Sequence, residues 1–154
     1  KLRAEIHQHY SGKLFEKRLE VYPELFTSIS SVVQKINFRA LSENDVRQLF
    51  SIAQEWETRN AIFMSAHTQQ TSYLFVTMLH KWHKLDDEQL LAQIKNFVSL
   101  KTLKRGCQDM ELALKNDLGI YTVDSPSSIS DSENPTAYSE VKSVAERERQ
   151  SSNL

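Results

Sequence analysis

A run of apolar residues with helical spacing, residues 14–36, constrains the fold more than any other part of the chain. Its apolar side chains recur in alternating steps of four and three, at Phe15, Leu19, Tyr22, Phe26, Ile29, Val33 and Ile36. This spacing places them along one face of an α-helix, and such a face has to be covered by other helices. Pro23 lies inside the run and has no N–H to donate to the carbonyl of Leu19, so we expect the helix to bend there.

The composition favours one globular, all-helical domain. The chain has 154 residues, of which 40% are hydrophobic and 25% are charged, enough to form a sizeable core. Three glycines and three prolines are fewer turn residues than all-β folds or glycine-rich nucleotide loops require. Because Cys107 is the single cysteine, no intrachain disulfide can form. The net charge of −1, together with acidic residues that interrupt the basic ones near the end of the domain, predicts no nucleic-acid partner.

Capping residues predict where two further helices begin. Ser42 precedes a second helix, which carries acidic residues in its first turn and should end between Arg59 and Met64. Ser65 is placed to cap a third helix. The apolar residues of this third helix form a wide arc, which predicts a well-buried element: Tyr73, Phe75, Val76, Leu79, Trp82 and Leu85.

The last helical segment follows a cap at Asp86 or Asp87. Its apolar residues recur at helical spacing from Leu90 to Leu114, which fits either one helix or two helices with a break near Ser99. We predict one long helix over residues 87–118. Gly119 then closes it in the left-handed conformation that glycine adopts most easily.

These segments predict an all-α fold, an antiparallel four-helix up-down bundle with long first and last helices. The expected core includes Phe15, Leu19, Tyr22, Phe26, Trp56 and Trp82. The bundle domain would cover residues 1–121. Residues 122–154 are rich in serine and acidic residues, and they predict a disordered polar tail with a short, marginal helix at 136–150.

Few side chains have a spacing that suggests chemistry. His80 and His83 are three residues apart on one helix, so both can face the same way as half of a metal site. No glutamate has a histidine three residues later, as a di-iron bundle would need, so we favour solvated or capping histidines. Cys107 lies on an apolar face and is expected to be a buried structural thiol. We predict no catalytic residue and no cofactor.

Three segments resemble a group of uncharacterised bacterial helical proteins. They are residues 15–26, with the pattern E-K-R-x-x-x-Y-P-E-L, residues 56–73, with an aromatic step before Ser65, and residues 103–119, with the closing pattern L-x-x-D-x-G. Those proteins often carry a membrane helix upstream. This chain departs from them at Phe63-Met64, where a glycine-rich turn with leucine is common. The resemblance implies a cytoplasmic helical domain tethered to a membrane, and it implies no catalytic residue.

The first eighteen residues contain five basic and two acidic side chains. If a membrane helix preceded Lys1, this positive excess would keep the domain on the cytoplasmic side, and an ordinary solvated helix start is the alternative. We therefore predict a non-enzymatic, cytoplasmic helical domain that binds a protein partner or a second copy of itself, with membrane contact only through a segment upstream of Lys1. The alternative is a metal- or small-molecule-binding bundle that uses His80 and His83.

Overall fold

A computed structural model describes residues 1–120, which form helices and no strand. The elements are α1 (Leu2–Asn37), α2 (Glu43–Asn60), a short 3-10 helix (Ala61–Phe63), α3 (Ala66–His83), α4 (Asp87–Lys95) and α5 (Phe97–Asp117). For this part of the chain the predicted all-α class is confirmed, and none of its helices is both long and apolar enough to cross a membrane. Residues 1–120 form one compact unit. The predicted tail, 122–154, and its helix, 136–150, lie outside the described residues.

Side-chain caps mark where α2, α3 and α4 begin. The Ser42 hydroxyl accepts a hydrogen bond from the Asp45 N–H, and the Asp45 carboxylate accepts one from the Ser42 N–H, which is a complete capping box. Ser65 and Asp86 each accept a hydrogen bond from the N–H three residues later, at the starts of α3 and α4. The caps predicted at Ser42 and Ser65 are confirmed, and Asp86 rather than Asp87 caps α4.

The prediction of one long helix over residues 87–118 is wrong. At Asn96 the backbone leaves the helical conformation, with φ −81° and ψ 118°, so this residue ends α4 and precedes α5. Its side-chain oxygen accepts a hydrogen bond from the Ser99 N–H at 3.0 Å and caps α5. Asparagine is favoured at this position because its short side chain can form hydrogen bonds with nearby backbone groups when its own backbone is not helical. The apolar pattern continues across the break, so helical spacing alone could not reveal it.

Two helices end in the same backbone motif with different residues in the left-handed position. At the end of α5 this residue is Gly119, with φ 69°, as predicted. At the end of α1 it is Arg39, with φ 54°. In both motifs the residue after the left-handed one donates its N–H to the carbonyl of the residue five positions before it. For a residue with a side chain the left-handed conformation costs about 1–2 kcal/mol, so Arg39 holds a strained position.

The core lies among α1, α2, α3 and α5. Helices α1 and α3 each contact both α2 and α5, and α4 packs against α2 and α5. Trp56 is fully buried, with its ring edge-to-face against Tyr22 at 5.6 Å between centroids, and its indole N–H donates to the Val21 carbonyl at 2.9 Å. The other large, fully buried apolar side chains come from all five α-helices: Leu25, Ile29, Leu49, Leu79, Leu90, Leu103, Met110 and Leu114.

The first helix packs against the domain mainly along its second half. It continues through Pro23 as one helix, and Tyr22, Ile29 and Ile36 are buried as predicted. Phe15 and Leu19 are 42% and 48% exposed, so their assignment to the core is wrong. The reason is length: α1 has 36 residues and α2 and α3 have 18 each. At 1.5 Å per residue, about half of α1 extends beyond the helices that could cover it.

The break between α4 and α5 can be tested at its cap. Asn96→Ala should lower the free energy of unfolding by about 1 kcal/mol, because the Ser99 N–H loses its acceptor. Asn96→Ser keeps a capping oxygen and should lower it by much less. Urea denaturation followed by far-ultraviolet circular dichroism measures both values. An unchanged or higher stability for Asn96→Ala would show that Asn96 does not cap α5.

Candidate functional site

A buried polar cluster forms where α1 meets the start of α3 and the end of α5. At its centre is the carboxylate of Asp117, whose side chain is 6% exposed. Its Oδ2 accepts hydrogen bonds from the Tyr22 hydroxyl at 2.6 Å and from the Ser65 N–H at 3.1 Å. The Tyr22 oxygen also lies 3.2 Å from the Phe63 carbonyl oxygen. Because a hydroxyl has one hydrogen, the shorter contact with the charged carboxylate takes it.

Arg18 completes the cluster from the side of α1. Its Nε donates to the Phe63 carbonyl at 2.6 Å, and its Nη1 donates to the backbone carbonyl of Asp117 at 3.2 Å. Both carbonyls lie at helix ends, where backbone groups have no partner within their own helix. The Arg18 Nε is also 4.0 Å from Asp117 Oδ2, with the arginine side chain 16% exposed. One side chain of α1 thus satisfies backbone groups of two other elements.

The cluster shifts the pKa of both of its acidic groups. Burial, followed by the nearby Asp117 carboxylate, raises the pKa of the Tyr22 phenol well above its ordinary value of 10.0. Burial alone would raise the pKa of Asp117, but the hydrogen bonds from Ser65 and Tyr22 outweigh it and lower that pKa. Neither group titrates near neutral pH, where a general acid or base works best. The arrangement is suited to holding helices together rather than to moving protons.

The three segments that carry the sequence resemblance meet in this cluster. Arg18 and Tyr22 belong to the first pattern, Ser65 follows the aromatic step, and Asp117 is the aspartate of the closing pattern. None of these side chains was predicted to form a site. The sequence did contain one indication of the cluster. Arg18 lies one helical turn before Tyr22 on the face that should be buried, and a charged group there needs a partner.

N-terminal to the cluster, α1 carries an exposed apolar surface. Every residue from 1 to 13 is exposed. Leu2, Ile6 and Tyr10 follow one another in steps of four and therefore share a face, which we call the α1 stripe. They are 71%, 47% and 69% exposed, respectively. Phe15 and Leu19, also four residues apart, lie on a different face, that of the core residues farther along the helix.

His80 and His83 lie against the ring of Phe50 in α2. The ring centroids are 5.5 Å apart for His80 and 4.5 Å apart for His83. Within residues 1–120, no three His, Cys, Asp or Glu side chains are grouped so that they could hold a metal ion. The alternative metal site at these histidines would need at least two further ligands, and the described part of the chain places none beside them. The two rings therefore contribute packing between α2 and α3.

Cys107 is buried in α5, as predicted. Burial, followed by the carboxylate of Glu111, raises the pKa of its thiol to about 12. The thiolate is the nucleophilic form of cysteine, so this group stays protonated and unreactive near neutral pH. Cys107 is a packing residue of the core.

Comparison of the chain with known proteins finds no similar family model, curated protein or solved structure. Candidates for function come from the structure itself, and residues 1–120 offer two features. The polar cluster holds one half of α1 against the domain through Arg18 and Tyr22, and the α1 stripe leaves apolar side chains uncovered on the other half.

The polar cluster can be tested with Tyr22→Phe. This change removes a hydrogen bond to a buried carboxylate and should lower the free energy of unfolding by about 1.5–3 kcal/mol at about pH 7. The pKa of Asp117 is lower in the folded chain than its ordinary value of 3.8, so the stabilisation is present above that value and is lost as the pH falls through the folded pKa. The deficit should therefore shrink to about 1 kcal/mol once the carboxyl is protonated.

Urea denaturation of both proteins across the acid range measures this deficit. Tyr73→Phe is the matched control, since Tyr73 is 65% exposed and its hydroxyl lies outside the cluster. A deficit that is the same at every pH would contradict the assigned hydrogen bond to Asp117.

Proposed function

We propose that this chain is a non-enzymatic helical interaction domain that pairs with a second copy of itself through the α1 stripe. The observation that carries this proposal is the exposure of twelve consecutive residues, 2–13, of a 36-residue helix, three of them large and apolar on one face. An isolated helix of about 12–15 residues is marginally stable in water. A covering surface would stabilise this half of α1 and remove its apolar side chains from water.

A second copy is the partner that the stripe suits best. Most homo-oligomers are closed dimers in which the same surface of each copy contacts itself. A short groove along the stripe is bordered by Glu5, His9 and Lys13 in addition to its three apolar residues. In an antiparallel pair centred near His9, Glu5 of each copy lies opposite Lys13 of the other, so these two charges complement each other.

The proposal includes the architecture of the domain that carries this helix. The contacts of α1 with α2, α2 with α3, α3 with α5 and α5 with α1 support a closed ring of four long helices. Short connections at residues 38–42 and 61–65 favour antiparallel neighbours, as in an up-down bundle. In this arrangement α4 is an additional short helix between α3 and α5.

A location on the cytoplasmic face of a membrane rests on the sequence resemblance and on the basic first eighteen residues, and it stays a prediction.

Light scattering on the full chain tests the pairing. The wild-type protein should have twice the 17.8 kDa mass of one chain, and the double variant Ile6→Glu/Tyr10→Glu should have the mass of one chain. Charges placed in an apolar contact lose hydration without gaining a partner. The matched control is Gln8→Glu/Ser11→Glu, which adds the same charge at exposed positions on the other side of α1 and should remain a dimer.

Two outcomes would contradict the proposed pairing. One is a wild-type protein that has the mass of a single chain at every concentration. The other is a dimer that persists in the stripe variant, which would place the contact elsewhere on the chain. Circular dichroism of both double variants checks that the helical content of the domain is retained.

A further inference from the structure

An apolar groove of about 440 Å³ opens where the end of α1 faces the break between α4 and α5. Its volume falls within the range of small-molecule sites, roughly 300–1,000 Å³. The apolar side chains that line it are Ile36, Leu41, Leu91, Ile94, Phe97 and Leu100. Phe97 remains 78% exposed although it borders this surface. The groove depends on the break at Asn96, because residues on both sides of the break line it.

Two cations complete the lining of the groove. They are Arg39 and Lys95, and no acidic side chain lines the groove beside them. Neither cation forms an ion pair with a carboxylate of residues 1–120. Positive charge at the edge of an apolar surface complements a ligand that has an anionic head and an apolar body.

The backbone at Arg39 gives an independent reason to assign this residue a ligand. Its φ of 54° is left-handed, and the equivalent position at the end of α5 is occupied by Gly119. Glycine would relieve the strain at position 39. A strained residue that carries a charged side chain to a groove is typical of a binding position, where contacts made by the side chain offset the backbone cost.

We propose that this groove binds a medium-chain fatty acid, with the apolar chain along the six apolar residues and the carboxylate held by Arg39 and Lys95. The size of the groove favours a small molecule, because a stable protein interface buries about 800 Å² on each partner. The apolar walls offer few hydrogen-bond partners to sugars or other polar ligands. The site lies at the opposite end of α1 from the α1 stripe, so it is independent of the proposed self-association.

Isothermal titration of the full chain with decanoate, below its micelle-forming concentration, tests the site. Decanoate should bind with one molecule per chain, and decanol, which has the same chain and no charge, should bind several-fold more weakly. Arg39→Gly combined with Lys95→Gln should weaken decanoate binding by about two- to twentyfold, as expected for two solvent-exposed ion pairs. The same double variant should leave decanol binding unchanged.

Two controls separate loss of the site from loss of the fold. Arg39→Gly alone relieves the left-handed strain and should make the protein more resistant to urea while it weakens decanoate binding. Lys81→Gln removes an exposed cation of α3 that does not line the groove, and it should bind decanoate as the wild type does.

Three results would overturn the proposal. The first is no binding of decanoate. The second is equal affinity of the wild-type protein for decanoate and decanol, or of the double variant and the wild type for decanoate. The third is one decanoate per two chains, which would indicate that the groove is a contact between copies.

Discussion

The hydrogen bonds of the Asp117 carboxylate connect the parts of the domain that are most distant in sequence. Asp117 ends α5, Ser65 begins α3, and Tyr22 lies in the middle of α1. A carboxylate that is 6% exposed is costly to bury without partners, and here it has two donors and a nearby guanidinium. Removing one donor leaves the buried carboxylate with fewer hydrogen bonds, so the cluster couples the stability of α1, α3 and α5.

This cluster lies between the exposed first part of α1 and the part that packs in the core. From Tyr22 onward, α1 contributes to the core, and before Leu14 it has no side chain that the rest of the described chain covers. Packing stabilises the second half, whereas within the described residues the first half depends on helix propensity alone. The same helix therefore supplies the centre of the fold and the surface proposed for association. The other end of α1, together with Arg39 just after it, lines part of the groove proposed for a fatty acid.

Local signals in the sequence predicted local structure well. The caps at Ser42 and Ser65, the left-handed Gly119 and the buried Cys107 each follow from the chemistry of one residue and its immediate neighbours. Helical spacing also identified the face of α1 that packs. It could not indicate how far the other helices extend, and for this reason Phe15 was assigned to the core although it is exposed.

Features that depend on distant contacts could not be read from the sequence. The break at Asn96 interrupts an apolar pattern that looks continuous, and the left-handed Arg39 occupies a position where sequence rules expect glycine. The cluster joins residues up to 99 positions apart, and from the sequence Arg18 could be recognised only as a charged residue on a face that should be apolar. His80 and His83 have metal-ligand spacing, but their surroundings are decided by α2, which places Phe50 against them.

Hydrogen exchange along α1, followed by mass spectrometry at low and high protein concentration, tests the division of this helix most directly. The account predicts that amides from Tyr22 to Ile36 are protected at both concentrations, because they belong to the packed half. Amides of residues 2–13 should exchange rapidly in dilute protein and become protected in concentrated protein, when a second copy covers the α1 stripe. Exchange in residues 2–13 that does not change with concentration would contradict the claim that this half of α1 is an association surface.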